Sequence, residues 1–227
     1  MFARIAGTYD LLNHLLSAGI DRRWRRRAVA KALEGPCGVV VDACTGTGDL
    51  GLEFARHGAR VVGVDFTPEM LARALPKRRR VASPTCFVHG DAQELPVRGE
   101  SADVACVAFG IRNVEDRARA FGELLRVLRP GGLLLVLEFS RPPGRALGSL
   151  YGLYFERLLP GVGKLFSRDD DAYSYLVRTV NAWPSPIALQ AELETLGLED
   201  CGHELLTGGI ACLHWGRRPL APVVPRA

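Results

Sequence analysis

Three acidic residues, each at or just beyond the end of a short β-type run, are the first places where this sequence could do chemistry. Asp42 follows Val39-Val40-Val41 and opens the stretch Asp42-Ala43-Cys44-Thr45-Gly46-Thr47-Gly48-Asp49-Leu50-Gly51. Within it, Gly46-x-Gly48-x-x-Gly51 has the spacing of a nucleotide-cofactor loop. Such a turn brings backbone close to a ligand and sets a helix N-terminus behind it. Asp65 ends the run Arg60-Val61-Val62-Gly63-Val64, and Asp91 follows Gly90. A carboxylate at Asp65 can accept both ribose hydroxyls, and one at Asp91 can accept from an adenine amino group. The competing role for both acids is helix capping. Asp42 separates two cofactors. Beside the glycines it would repel a pyrophosphate but suits an ammonium group. NAD carries two phosphates; S-adenosylmethionine carries an α-amino group and a sulfonium. The loop, with Gly46 and Gly48 at its turns, is therefore expected to hold S-adenosylmethionine.

These residues need rigid elements to position them. Residues 38–43 read as a buried strand, 50–57 as a helix closed by Gly58, and 60–65 as a second buried strand. Thr67-Pro68-Glu69 has the cap, proline and acid of a helix start. Residues 86–88, 102–109 and 133–139 read as further strands, 114–128 as a helix, and Arg129-Pro130-Gly131-Gly132 as a turn. Strands alternating with helices predict a parallel, doubly wound sheet. Residues 199–206 and 210–215, joined by Thr207-Gly208-Gly209, read as an antiparallel hairpin. The expected fold is α/β and Rossmann-like: a class I S-adenosylmethionine-dependent methyltransferase, with a mostly parallel seven-stranded sheet and a terminal antiparallel hairpin.

The 227 residues suit one α/β domain, expected over 1–218. Residues 1–34 are expected to form a helical flap, 141–183 a lid insertion rich in aromatics, and 219–227 a frayed tail. A net charge of +4 gives no reason to expect a nucleic-acid partner. Basic residues cluster at Arg22-Arg23-Trp24-Arg25-Arg26-Arg27 and Lys77-Arg78-Arg79-Arg80. They read either as solvated faces or as contacts with a membrane surface or anionic ligand. The six cysteines form no CxxC and have no zinc-like spacing. They are expected to be buried, reduced thiols of a cytoplasmic protein, and no metal is expected. No apolar run reaches the roughly 20 residues that span a bilayer.

The chain also resembles one family over residues 2–217, the UbiE/MenG quinone C-methyltransferases. The resemblance rests on Phe2-Ala3-Arg4-Ile5-Ala6-Gly7-Thr8-Tyr9-Asp10-Leu11-Leu12-Asn13, Trp24-Arg25 and Phe109-Gly110-Ile111-Arg112-Asn113-Val114. It extends to Arg126-Val127-Leu128-Arg129-Pro130-Gly131-Gly132, Leu137-Glu138-Phe139-Ser140, Tyr173-Ser174-Tyr175-Leu176 and Leu206-Thr207-Gly208-Gly209-Ile210. It implies S-adenosylmethionine as cofactor, held at Thr47, Asp65, Asp91 and Ala92, with Phe66 beside Asp65. It also implies a contact at Ala108, where some members carry a serine. The implied acceptor is a prenylated quinol, most simply demethylmenaquinol, methylated on a ring carbon. Arg112 and Asn113 are the expected catalytic residues. Arg112 is too basic to take a proton and is expected to stabilise a phenolate; the alternative is an ion pair with Glu115 or Asp116. Tyr9, Asp10, Asn13 and Tyr175 are expected on the substrate, and Tyr151, Tyr154, Phe155 and Phe166 along its tail. His14 is a second candidate base. The expected partners are the quinol, a membrane surface at the cell's cytoplasmic side, and a second copy of the chain. Competing readings are a methyltransferase for another lipophilic phenol, a non-catalytic scaffold that binds the cofactor, and an NAD oxidoreductase. Asp42 and the lack of a second domain disfavour the last.

Overall fold

The structure is a computed structural model that describes residues 19–142 and 178–220. Tyr9, Asp10, Asn13, His14, Tyr175, the four tail-channel aromatics and the tail from residue 221 lie outside the described residues. So do most of the expected flap and lid.

Seven strands form one sheet: β1 (Val39–Ala43), β2 (Arg60–Asp65), β3 (Thr85–His89), β4 (Ala102–Ala108), β5 (Leu128–Phe139), β6 (Glu199–Leu206) and β7 (Ala211–Arg217). Their spatial order is β3-β2-β1-β4-β5-β7-β6. The first five run parallel, and β7 pairs antiparallel with both β5 and β6. The runs of Val, Ala and Leu in β1, β4 and β5 are buried nearly throughout, as parallel strands covered on both faces must be. Among the described residues the cover comes from helices α1 (Ile20–Ala32), α2 (Asp49–Arg56), α3 (Pro68–Lys77), α4 (Arg117–Val127) and α5 (Pro186–Thr195). One face packs Phe121, Leu124, Leu189, Leu193 and Trp183 against the sheet; the other packs Trp24, Val29, Leu50 and Phe54. Residue order reverses between β1 and β4, which makes their C-terminal ends the crevice where open α/β sheets bind ligands.

The structure departs from sequence expectation in four places. Arg129-Pro130-Gly131-Gly132 lies inside β5 rather than before it. Ala102 pairs with Leu128 and Val104 with Leu133, so the four residues bulge, with Gly131 at φ 77° and bonded through its N–H to the Arg218 carbonyl. Helix α4 starts at Arg117, because the Asp116 carboxylate caps it by accepting from the Arg119 N–H. Helix α5 is capped in the same way by Ser185 with Pro186 at its first position, a start signal that the terminal hairpin overshadowed. The cysteines are all free, yet Cys86 is exposed on the edge strand β3, and Cys37, Cys44 and Cys201 are only partly covered.

Candidate active site

The glycine loop leaves β1 through backbone that few residues adopt. Gly46 and Gly48 have φ of 57° and 82°, and Cys44, which is not glycine, has φ 51°. A side chain on Gly48 would strike the Phe87 ring at 2.6 Å, whereas a Cβ on Gly46 would meet nothing within 4 Å. The backbone is thus packed on one side and open at Gly46. On the other side of the crevice Phe109 also has a positive φ, 57°. Gly110 sits so close to Cys44 that a Cβ there would lie 2.3 Å from the Cys44 Cβ. The glycine of Phe109-Gly110-Ile111-Arg112-Asn113 is needed because two strand-end loops touch at this point.

Asp42 is buried and ties the loop together. Its Oδ2 accepts from Thr45 Oγ1 at 2.5 Å and from the Gly51 N–H at 3.0 Å, and Cys106 Sγ lies 3.6 Å from Oδ1. Burial pushes its carboxyl up to about 6, against the pull of those hydrogen bonds and the charge of Arg25. Asp65 accepts from the Gly46 N–H at 2.7 Å and the Thr67 N–H at 2.8 Å. It thereby links the end of β2 to the loop, and burial holds its carboxyl above the usual range. Asp91 accepts from the Gln93 N–H at 2.8 Å, and Ala92 beside it is buried. Phe66 projects with 71% of its surface exposed. Four adjacent strand ends, from β3 to β4, therefore carry Asp91, Asp65, the loop and Ala108 in a row. Three interstrand steps of about 4.8 Å make that row roughly 14 Å long. A small cleft at its centre is lined by Arg25, Asp42, the loop from Cys44 to Thr47, Asp49, Leu50, Ala108 and Phe109.

Arg112 and Asn113 lie on a single turn of 3₁₀ helix just beyond β4. Arg112 does not pair with Glu115 or Asp116. Its Nη1 donates to Glu138 at 2.6 Å and to the Phe109 carbonyl at 2.8 Å, and its guanidinium lies 5.3 Å from the Phe139 ring centroid. The pair is nearly sealed, with side-chain exposures of 8% for Arg112 and 0% for Glu138. Burial raises the Glu138 carboxyl although Arg112 opposes the shift. Arg112 Nε, Asn113 Oδ1, Glu138 Oε1 and Ser140 Oγ are all buried without a hydrogen-bond partner among the described residues. Four such atoms at the ends of two neighbouring strands call for a polar guest. Glu138 and Ser140 are functional candidates that sequence reasoning left unassigned, although both stood in the quoted Leu137-Glu138-Phe139-Ser140 segment. Phe109, Phe139 and Trp24 form an aromatic wall beside them, with centroids 4.7–6.2 Å apart.

A crevice of strand-end acids and an open glycine turn fits S-adenosylmethionine: acceptors for ribose and adenine on one side, an acid for the ammonium group in the middle. The fold agrees with the methyltransferase class. A SAM-dependent methyltransferase from Thermotoga maritima superposes with a TM-score of 0.64 at 22% identity, over 96% of this chain and 98% of that one. The phosphoethanolamine N-methyltransferase 2 of Haemonchus contortus, solved with S-adenosylmethionine, gives 0.61 at 16% identity over 82% and 50%. Sequence comparison narrows the class. The ubiE/COQ5 methyltransferase family model matches residues 1–218, and the chain belongs to that family. It is 48% identical to a demethylmenaquinone methyltransferase of Thermus thermophilus, over 96% of this chain and all of that protein. Identity to the UbiE ubiquinone/menaquinone biosynthesis C-methyltransferase of Syntrophotalea carbinolica is 45%, over 97% and 93%. A demethylmenaquinone methyltransferase of Deinococcus radiodurans is 42% identical, over 93% and 88%. This chain is thus an S-adenosylmethionine-dependent methyltransferase.

Proposed function

We propose that this enzyme methylates a ring carbon of a prenylated quinol, and that the acceptor is demethylmenaquinol. Relatives from Thermus thermophilus and Deinococcus radiodurans that carry the demethylmenaquinone name support the naphthoquinol over a benzoquinol. The observation that carries the reading is the buried Arg112–Glu138 pair with its unpartnered atoms beside the cofactor crevice.

Asp65 and Phe66 hold the adenosine, with Asp91 and Ala92 at the adenine, and Asp42, Thr47 and the loop hold the methionine half. Bound there, the cofactor supplies an electrophilic methyl group. The protein must make a ring carbon nucleophilic and align it. Ionising a quinol hydroxyl pushes electron density onto the adjacent carbon. Arg112 stabilises that phenolate, and Asn113 accepts from the second hydroxyl through Oδ1. The hydroxyl proton goes to the Glu138 carboxylate, whose hold on a proton burial strengthens. Proton transfer turns the neutral Arg112–Glu138 pair into a cation facing the new anion, so charge balances within the site. Once the ring carbon carries the methyl group, the hydrogen on that carbon leaves to solvent as a proton, the ring regains aromaticity as a phenolate, and Glu138 returns its proton to that oxygen.

Among the described residues no helix is long and apolar enough to cross a membrane. Arg22, Arg23 and Arg26 are exposed together on α1 and are the proposed contacts with an anionic membrane surface, where a prenylated substrate resides. Methyl transfer from labelled S-adenosylmethionine to chemically reduced demethylmenaquinol, with the product weighed by mass spectrometry, tests the function. Ring-methylated product that disappears in Arg112→Ala and Asp65→Ala is expected. Cofactor binding without product from this acceptor would refute it.

A further inference from the structure

The basic run 22–27 reads from sequence either as a solvated face or as a contact with a membrane surface or anionic ligand, and the helix divides it. Arg22, Arg23 and Arg26 face solvent, whereas Trp24 and Ala28 are buried and Arg25 lines the cofactor cleft. Helix α1 is fixed firmly enough for that placement to matter. Trp24 Nε1 donates to Thr207 Oγ1 at 2.8 Å, its ring packs on Phe109 and Phe139, and Arg27 pairs with Glu204 at 2.7 Å.

The charged lining of the cleft is Arg25, Asp42 and Asp49. The amino-acid end of S-adenosylmethionine is a zwitterion, so an ammonium group accounts for an acid but its α-carboxylate needs a cation. Other cations nearby are committed elsewhere. Lys77 Nζ is held by Thr47 and Asp49, both at 2.9 Å, and Arg112 is pinned to Glu138. Arg25 meets Asp21 and, at 4.0 Å, Asp49, in both cases through Nη1. The guanidinium also lies 5.8 Å from the Phe109 ring centroid, and both residues line the cleft. Its Nε and Nη2 have no partner among the described residues and form a two-donor fork of the kind that takes a carboxylate. The N-terminus of α2 competes poorly for the same group. Its Gly51 and Leu52 N–H groups are spent on Asp42 and the Gly48 carbonyl, and Asp49 stands in its first turn.

We propose that Arg25 is the residue that binds the α-carboxylate of the cofactor, so that α1 forms one wall of the cofactor site. The proposal rests on the assignment of this cleft to S-adenosylmethionine. It also gives the helix a function apart from membrane contact: one face reads a lipid surface, the other the cofactor.

The test compares two ligands by titration calorimetry on the full chain. S-adenosylmethionine has the carboxylate; decarboxylated S-adenosylmethionine keeps the ammonium and sulfonium but lacks it. Arg25→Met should weaken the first about 10- to 100-fold, the range of a charge-assisted hydrogen bond. It should change the second by less than about twofold, and Arg25→Lys should recover part of the loss. Arg25→Met leaves Asp21 buried without Arg25. If that variant unfolds, Asp21→Asn with Arg25→Met removes the buried carboxylate as well and serves in its place. Equal losses for both ligands, or no loss for either, would overturn the proposal. A wild type that binds neither ligand would overturn the cleft assignment and the proposal with it.

Discussion

The Arg112–Glu138 pair allows a prediction in which the two partners behave differently. Glu138→Ala leaves a guanidinium with 8% side-chain exposure and no counter-charge among the described residues. Removing one member of a buried ion pair costs about 3–5 kcal/mol. For a chain of this size each kcal/mol moves Tm by roughly 2–4 °C, so Tm should fall by about 6–20 °C at any pH, because arginine cannot shed its proton. Arg112→Met strands a carboxyl instead, and a carboxyl can neutralise itself by taking a proton. Glu138 is already raised in the wild type, and losing Arg112 raises it further. A group raised above its unfolded value stabilises fully below that unfolded value, and the stability is lost as pH rises through the folded one. Arg112→Met should therefore be mild near pH 4, below the unfolded carboxyl, and grow more severe as pH rises toward 8, while the cost of Glu138→Ala stays nearly flat. Combining Arg112→Met with Glu138→Leu should return most of the stability, since an apolar pair of similar volume replaces a buried ion pair at little net cost. Thermal and urea unfolding of the four proteins across that pH range measure all of this. Additive losses in the double variant, or matching pH profiles for the two single variants, would refute the reasoning.

Three further outcomes follow from the crevice. Asp42 titrates at about 6, so S-adenosylmethionine affinity should fall by up to about tenfold per pH unit below that value and stay level in Asp42→Asn, measured by calorimetry. Stability moves the opposite way: the contribution of Asp42 is complete below the unfolded carboxyl near pH 4 and is lost as pH rises through about 6. Phe66→Ala should weaken cofactor binding about 2- to 10-fold, the worth of one aromatic contact, with Tm unchanged because the ring is 71% exposed. Gly110→Ala should cost about 1–3 kcal/mol and displace the loop, because its Cβ would meet Cys44 Cβ at 2.3 Å. Adding Cys44→Gly should restore it, since glycine removes that atom and tolerates the φ of 51°; a double variant no better than the single would count against this contact.

Sequence alone reached the features that are local. The glycine loop, the acids at the ends of β2 and β3, and the alternation of elements each lie within a dozen residues, where periodicity and turn chemistry act. Contacts across strands were not legible. Arg112 lies 26 residues from Glu138, and their meeting depends on the register that sets Ala108 opposite Leu137. The sequence offered Glu115 and Asp116 as nearer acids, and tertiary packing overrode them. The hairpin was legible, but not that β7 would insert between β5 and β6. Arg25 was hidden by its neighbours; the signal that separates it is Trp24 and Ala28 on one helical face, against Arg22, Arg23 and Arg26 on the other.

The bond from Trp24 to Thr207 spans 183 positions of the chain. During synthesis from the N-terminus, α1 emerges long before the residue on β6's turn that it bonds to. The glycine loop and the acids of β2 and β3 can assemble on the growing sheet, and α1 can pack on Phe109 and Phe139, but the hydrogen bond from Trp24 to Thr207 cannot form until β6 and the turn to β7 have left the ribosome. A chain truncated before residue 207 therefore holds most of the groups proposed to touch the cofactor, and lacks the hydrogen bond that ties the first helix to the far edge of the sheet.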